Sequence, residues 1–214
     1  MRFAVVSYHL PHPDGTATGR HVYAVWDAVR AMGHHVEAWC WGDAPAGLEP
    51  PEWVTVRPVR DQRSKLATLR RPRWGLAMDD WRPPAEAVGW AEEPESYAAI
   101  ASAERRGTTT YHSELLDALA LRRFRPAVVQ SMRAERRAVR GADVAITFSA
   151  RVARAVGIPH RCPVTQPIPT EVLPVVAEPV AVLLANWGWP PNRQALQRLL
   201  AQWPQVRRRV PDAR

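Results

Sequence analysis

MRFAVVSYHLPHPDGTATGRHVYAVWDAVRAMGHHVEAW, residues 1–39, is the stretch whose reading decides the fold. "FAVVSY" at 3–8 is a short apolar run with adjacent valines and a turn-rich exit, which predicts a buried strand. Val22, Val25, Trp26 and Val29 then recur at i, i+3, i+4 and i+7, one apolar stripe on a helix predicted over 20–32. Gly33 suits the C-terminal cap of that helix. "HHVEAWCW" at 34–41 predicts a second strand. A strand, a loop with two glycines, an amphipathic helix and a second strand make a βαβ unit. Its strands are parallel because a helix carries the chain back, and such crossovers are right-handed.

The alternation continues downstream. "VTVRPV" 54–59 and "AEAVGWA" 85–91 predict strands, and "PESYAAIASAERRG" 94–107 a helix with Pro near its start and Gly at its end. "TTTYHS" 108–113 reads as a strand, and 114–124 and 131–141 as helices. "DVAITFS" 143–149 is strand-like, followed by a short helix over 149–157 with a Ser cap and a closing Gly. The fold class expected is α/β: a doubly wound, mostly parallel sheet. No element is assigned to the Pro-, Trp- and Arg-rich region 60–84. Domain organisation follows from composition. Residues 1–162 form the first domain, and 163–179 a proline-stiffened linker. In 180–214 a strand over 180–189 and a helix over 190–203 are expected to be the truncated start of a second Rossmann-like domain.

A chain of 214 residues, 46% of them apolar, can bury a sizeable core. Its net charge of +8 is almost all arginine, since Lys65 is the only lysine. The arginines cluster at 70–73, 121–125, 133–140 and 207–209. Guanidinium forks suit phosphates and carboxylates, so on charge alone nucleic acid, phosphorylated sugars and anionic membrane surfaces are admissible partners; a scatter over solvated faces accounts for the same charge. Basic segments interleaved with aromatics, the mark of a nucleic-acid reader, are absent, and no nucleic-acid partner is expected. No apolar stretch approaches the ~18 residues of a spanning helix, and the opening is not a signal peptide. Cys40 and Cys162 form no Cys-x-x-Cys pattern, which favours reduced thiols and a cytoplasmic protein, with peripheral membrane contact as the variant.

Three segments resemble a known family, the retaining GT-B glycosyltransferases of the large family-4-like group. One is the opening strand, glycine loop, helix and "MGHHV" strand. Another is "YHSELLDAL" followed by a basic helix and "ADVAITFSARVARAVG". The last is "VAVLLANWGWPPNRQALQRLLAQWPQVRRRVPDAR", similar to the family's passage into its C-terminal domain. Together they cover most of the chain outside 60–84. The resemblance implies transfer of a sugar from a nucleotide-sugar donor to an acceptor hydroxyl with retention. It places the acceptor mainly on the N-terminal domain and the donor mainly on the C-terminal one, much of it after residue 214, so that this chain alone is expected to be inactive. The acceptor could be a sugar, a lipid-linked compound or a small molecule. No cofactor beyond the donor substrate and no metal are implied.

Site residues follow from the resemblance together with general chemistry. His112, at the predicted C-terminal end of its strand, matches a family histidine in the cleft and is the expected catalytic residue. Gly15, Gly19 and Arg20 would bind substrate, with backbone N–H groups at the start of the helix facing donor phosphates or acceptor. Their spacing is neither G-x-G-x-x-G nor a Walker loop, and a Pro-Asp-Gly turn with a helix-leading glycine accounts for it equally. Glu114 could accept from a sugar hydroxyl, or simply complement the dipole of the helix it starts. His9, His12 and His21 lack the partners of a convincing metal site. Two alternatives stay open: another GT-B-like enzyme such as a sugar-nucleotide epimerase, and a non-catalytic binding or interaction module.

Overall fold

The computed structural model describes residues 1–42, 45–57, 78, 80–121, 126–158 and 190–214. The chain divides into two compact units, Met1–Pro167 and Ile168–Arg214.

In the first unit, β1 (Arg2–Ser7) leads through a loop to α1 (Ala17–Ala31) and back to β2 (His35–Cys40), the βαβ unit expected from the opening residues. After β3 (Val54–Val56) and β4 (Val88–Glu92) come a 3₁₀ helix (Pro94–Ile100) and β5 (Arg105–Thr110). Next are α2 (Glu114–Leu121), α3 (Pro126–Gly141), β6 (Val144–Thr147) and α4 (Ala150–Val156). The six strands form one sheet in the order β3-β2-β1-β4-β5-β6, and every pair is parallel. The fold is Rossmann-like. The chain winds outward in one direction through β1, β2 and β3, then crosses to β4 on the other side of β1. The strand order therefore reverses between β1 and β4, and in such sheets ligands bind outside the carboxyl ends of the strands at that reversal.

The register of β1 explains why it lies in the middle. Its side chains alternate between two cores, and both are apolar. Val5, with Phe3 beside it, packs with Val22 and Trp26 of α1 and with Val36, Ala38 and Cys40 of β2. Ala4 and Val6 pack on the other face with Trp41, Tyr97, Ile100 and Ala138. A third cluster joins Val139 of α3 to Val152, Ala153 and Val156 of α4. The short helix α4 is held at both ends as its sequence indicated. Ser149 accepts from the Val152 N–H, and Gly157 closes the helix at φ 80°.

Several boundaries depart from the sequence reading: α3 starts at Pro126 and not at 131, β4 is Val88–Glu92 and not 85–91, and β5 is Arg105–Thr110 and not 108–113. Helix α1 starts three residues earlier than expected, at Ala17, because the Thr16 hydroxyl accepts from the Gly19 N–H and caps it. The helix expected over 94–107 is instead a 3₁₀ turn over Pro94–Ile100 followed by β5 from Arg105. Tyr97 and Ile100, both buried and three apart, match the three-residue repeat of a 3₁₀ helix. Pairing on both sides overrides the helical look of 101–107: Arg105–Thr109 lie against Val88–Glu92, and the Arg106 N–H donates to Asp143 at 2.7 Å. Gly107 is required there, because a Cβ would collide with the Trp90 ring.

In the second unit, α5 (Pro190–Arg209) extends beyond the 190–203 expected and carries Pro204 inside it. The expected linker 163–179 and strand 180–189 lie outside the described residues, as do most of 60–84.

Candidate functional site

The carboxyl ends of β1, β4, β5 and β6 bring together a set of polar and aromatic side chains, and most are hydrogen-bonded to one another. Glu92, the last residue of β4, is 3% exposed. The Trp26 indole Nε1–H donates to its Oε1 at 2.7 Å and the Tyr111 hydroxyl donates to its Oε2 at 2.6 Å. Trp26 is on the core stripe of α1, with its ring 5.3 Å from Phe3 and 5.6 Å from Trp90. Trp90 in turn donates to the Thr109 hydroxyl at 3.0 Å. One buried carboxyl thus joins α1, β4 and the end of β5. Burial pushes the Glu92 pKa up, and the hydrogen bonds from Tyr111 and Trp26 oppose that rise. Tyr111 is pushed well above its usual range, by burial first and then by the neighbouring carboxylates.

Glu93 follows with an unusual backbone. Its φ is 75°, and among the described residues it is the one non-glycine with positive φ. Its N–H donates to the Thr109 carbonyl at 3.1 Å. Its carboxyl turns back across the β1/β4 reversal, where Oε2 accepts the Tyr8 N–H at 3.1 Å. Oε1 is buried without a hydrogen-bond partner. Burial raises the Glu93 pKa well above the carboxylate range, and Glu92 and Glu95 add to the rise.

The opening loop is folded on itself. The Ser7 hydroxyl donates to the His9 carbonyl and accepts the His9 N–H. The Tyr8 ring packs 4.6 Å from Trp41, whose indole donates to Ser96 at 2.8 Å. Nδ1 of His9 is 3.5 Å from the Thr16 hydroxyl that caps α1. Burial lowers the His9 pKa, with a further push from the charge of His112. His21, in the first turns of α1, is buried edge-on between Tyr111 and Phe148, and its Nδ1 has no partner. Burial lowers its pKa as well.

Each residue expected from the sequence has a definite place here. His112 lies two residues beyond β5, on the carboxyl side of the sheet, with its side chain 51% exposed and Nε2 4.0 Å from Asp117. It does not point into the core. Gly15 lies at the tip of the loop, its N–H bonded to the His12 carbonyl. Gly19 is buried in the first turn of α1, and a Cβ there would collide with the Leu10 carbonyl. Its close approach is to the loop's own backbone. Arg20 is exposed on α1, and its N–H bonds to the Thr16 carbonyl. Glu114 opens α2, and its side chain lies outside what the structure describes. The loop and His112 thus share one end of the sheet.

Glu92, Glu93 and Tyr111 are not among the residues singled out from the sequence. The signal for the two carboxylates was their position: an acidic pair directly after an apolar strand, at the end where doubly wound sheets bind ligands. Among the described residues no group of three or more His, Cys, Asp or Glu side chains is placed to hold a metal ion. No described helix is long and apolar enough to cross a membrane. No protein-family model matches the chain, and no curated protein matches it.

Proposed function

We propose that the chain carries the acceptor-side domain of a retaining glycosyltransferase, which moves a sugar from a nucleotide-sugar donor to an acceptor hydroxyl. The observation that carries this reading is the row of side chains along the reversal. His9, Glu93 and His112 lie one or two residues beyond the carboxyl ends of three neighbouring strands, β1, β4 and β5. Strands stand ~4.8 Å apart, so the row spans about two strand spacings, enough for a sugar ring with hydrogen bonds to the hydroxyls on its two sides. In such chemistry the groups that matter are those aimed at developing charge and at the hydroxyls that orient the sugar. His112, half in solvent, is the group placed to reach the transferred sugar or the acceptor. Gly15, Gly19 and Arg20 contribute through the start of α1. Because Gly19 is closed off by Leu10, ligand contact there falls to the exposed Arg20 and to the loop tip at Gly15. The acceptor is a sugar, a small hydroxyl compound or a lipid-linked one. For the lipid-linked case, Arg133, Arg136, Arg137 and Arg140 are exposed along α3 and give it a basic face. Donor phosphates would be held chiefly by the second lobe, to which α5 belongs. The protein would work in the cytoplasm.

Saturation-transfer NMR of the chain with UDP-, GDP- and TDP-sugars and with simple saccharides tests this, since it reads binding as weak as millimolar. Saturation should reach sugar-ring protons and fall in His112→Ala. Saturation of no ligand in the panel would remove the reading and leave a non-catalytic module.

A further inference from the structure

We infer that Glu93 is a sugar-recognition residue, its second carboxyl oxygen kept for a hydroxyl of the carbohydrate bound over the β1/β4 reversal. This rests on the glycosyltransferase reading and names a contact within that site. Three features of Glu93 bear on this. Its positive φ, strained for a non-glycine residue, turns the chain from β4 into the 3₁₀ helix, where its carbonyl accepts the Ser96 N–H, and leaves the carboxyl against the end of β1. A buried carboxyl normally has a cation or several donors around it, yet Glu93 has one backbone N–H, and the charged groups acting on it, Glu92 and Glu95, are both acidic. Finally, Oε1 is unpartnered on a residue more than nine-tenths buried, beside the bond from the Tyr8 N–H to Oε2 that links the ends of β1 and β4. Glu92, its neighbour, shows the contrast: both of its oxygens accept, and its role is to hold α1 and Tyr111.

The chemistry of the missing partner follows from the carboxyl itself. A phosphate oxygen would need Glu93 protonated, and an ammonium would need it ionised. A hydroxyl pairs with either form, accepting from the acid or donating to the carboxylate. His9 and His112, two residues beyond the strands to either side, supply ring nitrogens for the neighbouring hydroxyls of the same ring.

The test compares saturation-transfer titrations of simple saccharides on the wild-type chain and on Glu93→Ala. In the wild type the sugar-ring protons should saturate, and in the variant the affinity for the saccharide should fall roughly tenfold or more, the worth of one hydrogen bond to an ionisable group. An undiminished saccharide affinity in a folded Glu93→Ala overturns the role of Glu93 while the glycosyltransferase reading stands. Should Glu93→Ala not fold, glutamate labelled with ¹³C at the carboxyl in the wild type decides. The Glu93 resonance must move with the saccharide; a resonance unmoved by a saccharide that binds overturns the inference. If no sugar-ring proton is saturated in the wild type by any ligand, the reading and the inference fall together.

Discussion

Replacing Glu92 by alanine tests the account of how this end of the sheet is held together. The substitution strands two buried donors, the Trp26 indole and the Tyr111 hydroxyl, each of which costs about 1–3 kcal/mol without an acceptor. The lost methylene and carboxyl leave a small cavity, and relief of the carboxyl's own burial offsets part of the total. A net loss of about 3–5 kcal/mol is expected, since breaking a buried network by removing one partner falls at the large end of single-site effects. For a unit of this size that lowers Tm by roughly 6–20 °C. Tyr111→Phe removes a donor without stranding one and should cost only about 1–2 kcal/mol. The double variant should then be less damaging than the sum of the two, because one orphaned donor has gone with the tyrosine. Urea unfolding followed by circular dichroism measures all three. A Glu92→Ala protein within ~0.5 kcal/mol of wild type, in the range of ordinary surface changes, would refute the network as a structural tie. Strict additivity would show that Tyr111 and Glu92 do not act on each other.

Gly19→Ala should destabilise by about 1–3 kcal/mol, because its Cβ meets the Leu10 carbonyl, which is backbone and cannot turn aside. Gly15→Ala, whose Cβ would stand 3.1 Å from the His12 carbonyl at the loop tip, should cost less; thermal unfolding of both orders them. Thr16→Ala removes the cap of α1 and should cost about 1 kcal/mol, read in urea. The pH dependence of stability has a definite sign at Glu93. The folded protein keeps a proton there that the unfolded chain gives up above the ordinary value of 4.5. That stabilisation is complete below 4.5 and is lost as pH rises toward the folded value, at about 1.4 kcal/mol per pH unit. Subtracting the stability profile of Glu93→Gln from that of wild type should isolate the decline. A flat difference, or one that rises with pH, contradicts the burial of an uncompensated carboxyl.

The opening residues made the βαβ unit legible because periodicity speaks loudly there: Val22 and Trp26 at i and i+4 on a helix, and a valine run that reads as a strand. The residues at 101–107 misled because alanine and arginine have high helix propensity, while what fixes them in β5 is pairing with β4 and the Asp143 carboxylate, both distant in sequence. His112 was expected inside the end of a strand over 108–113 and lies two residues beyond β5; the side of the sheet was legible, since strand direction determines it, and the strand's register was not. The Glu92 network was not legible for a physical reason. A carboxylate after a strand reads as a polar exit, and only the folding of Trp26 and Tyr111 onto it makes it an interior group. Gly19 shows the reverse: its type was noticed, but whether it makes room for a ligand or for Leu10 depends on the loop's path.

The central place of β1 bears on how the chain is made as well as how it is held. Its two neighbours in the sheet are β2, synthesised about thirty residues later, and β4, which starts at Val88. At the ~5–20 residues per second of translation, one edge of β1 waits on the order of several seconds longer than the other for its partner. Through that interval the apolar Ala4 and Val6 face has no β4 or 3₁₀ helix to cover it. A nascent chain of this protein therefore passes through a stage in which its most buried strand is an open edge, the stage at which a ribosome-associated chaperone has something to hold.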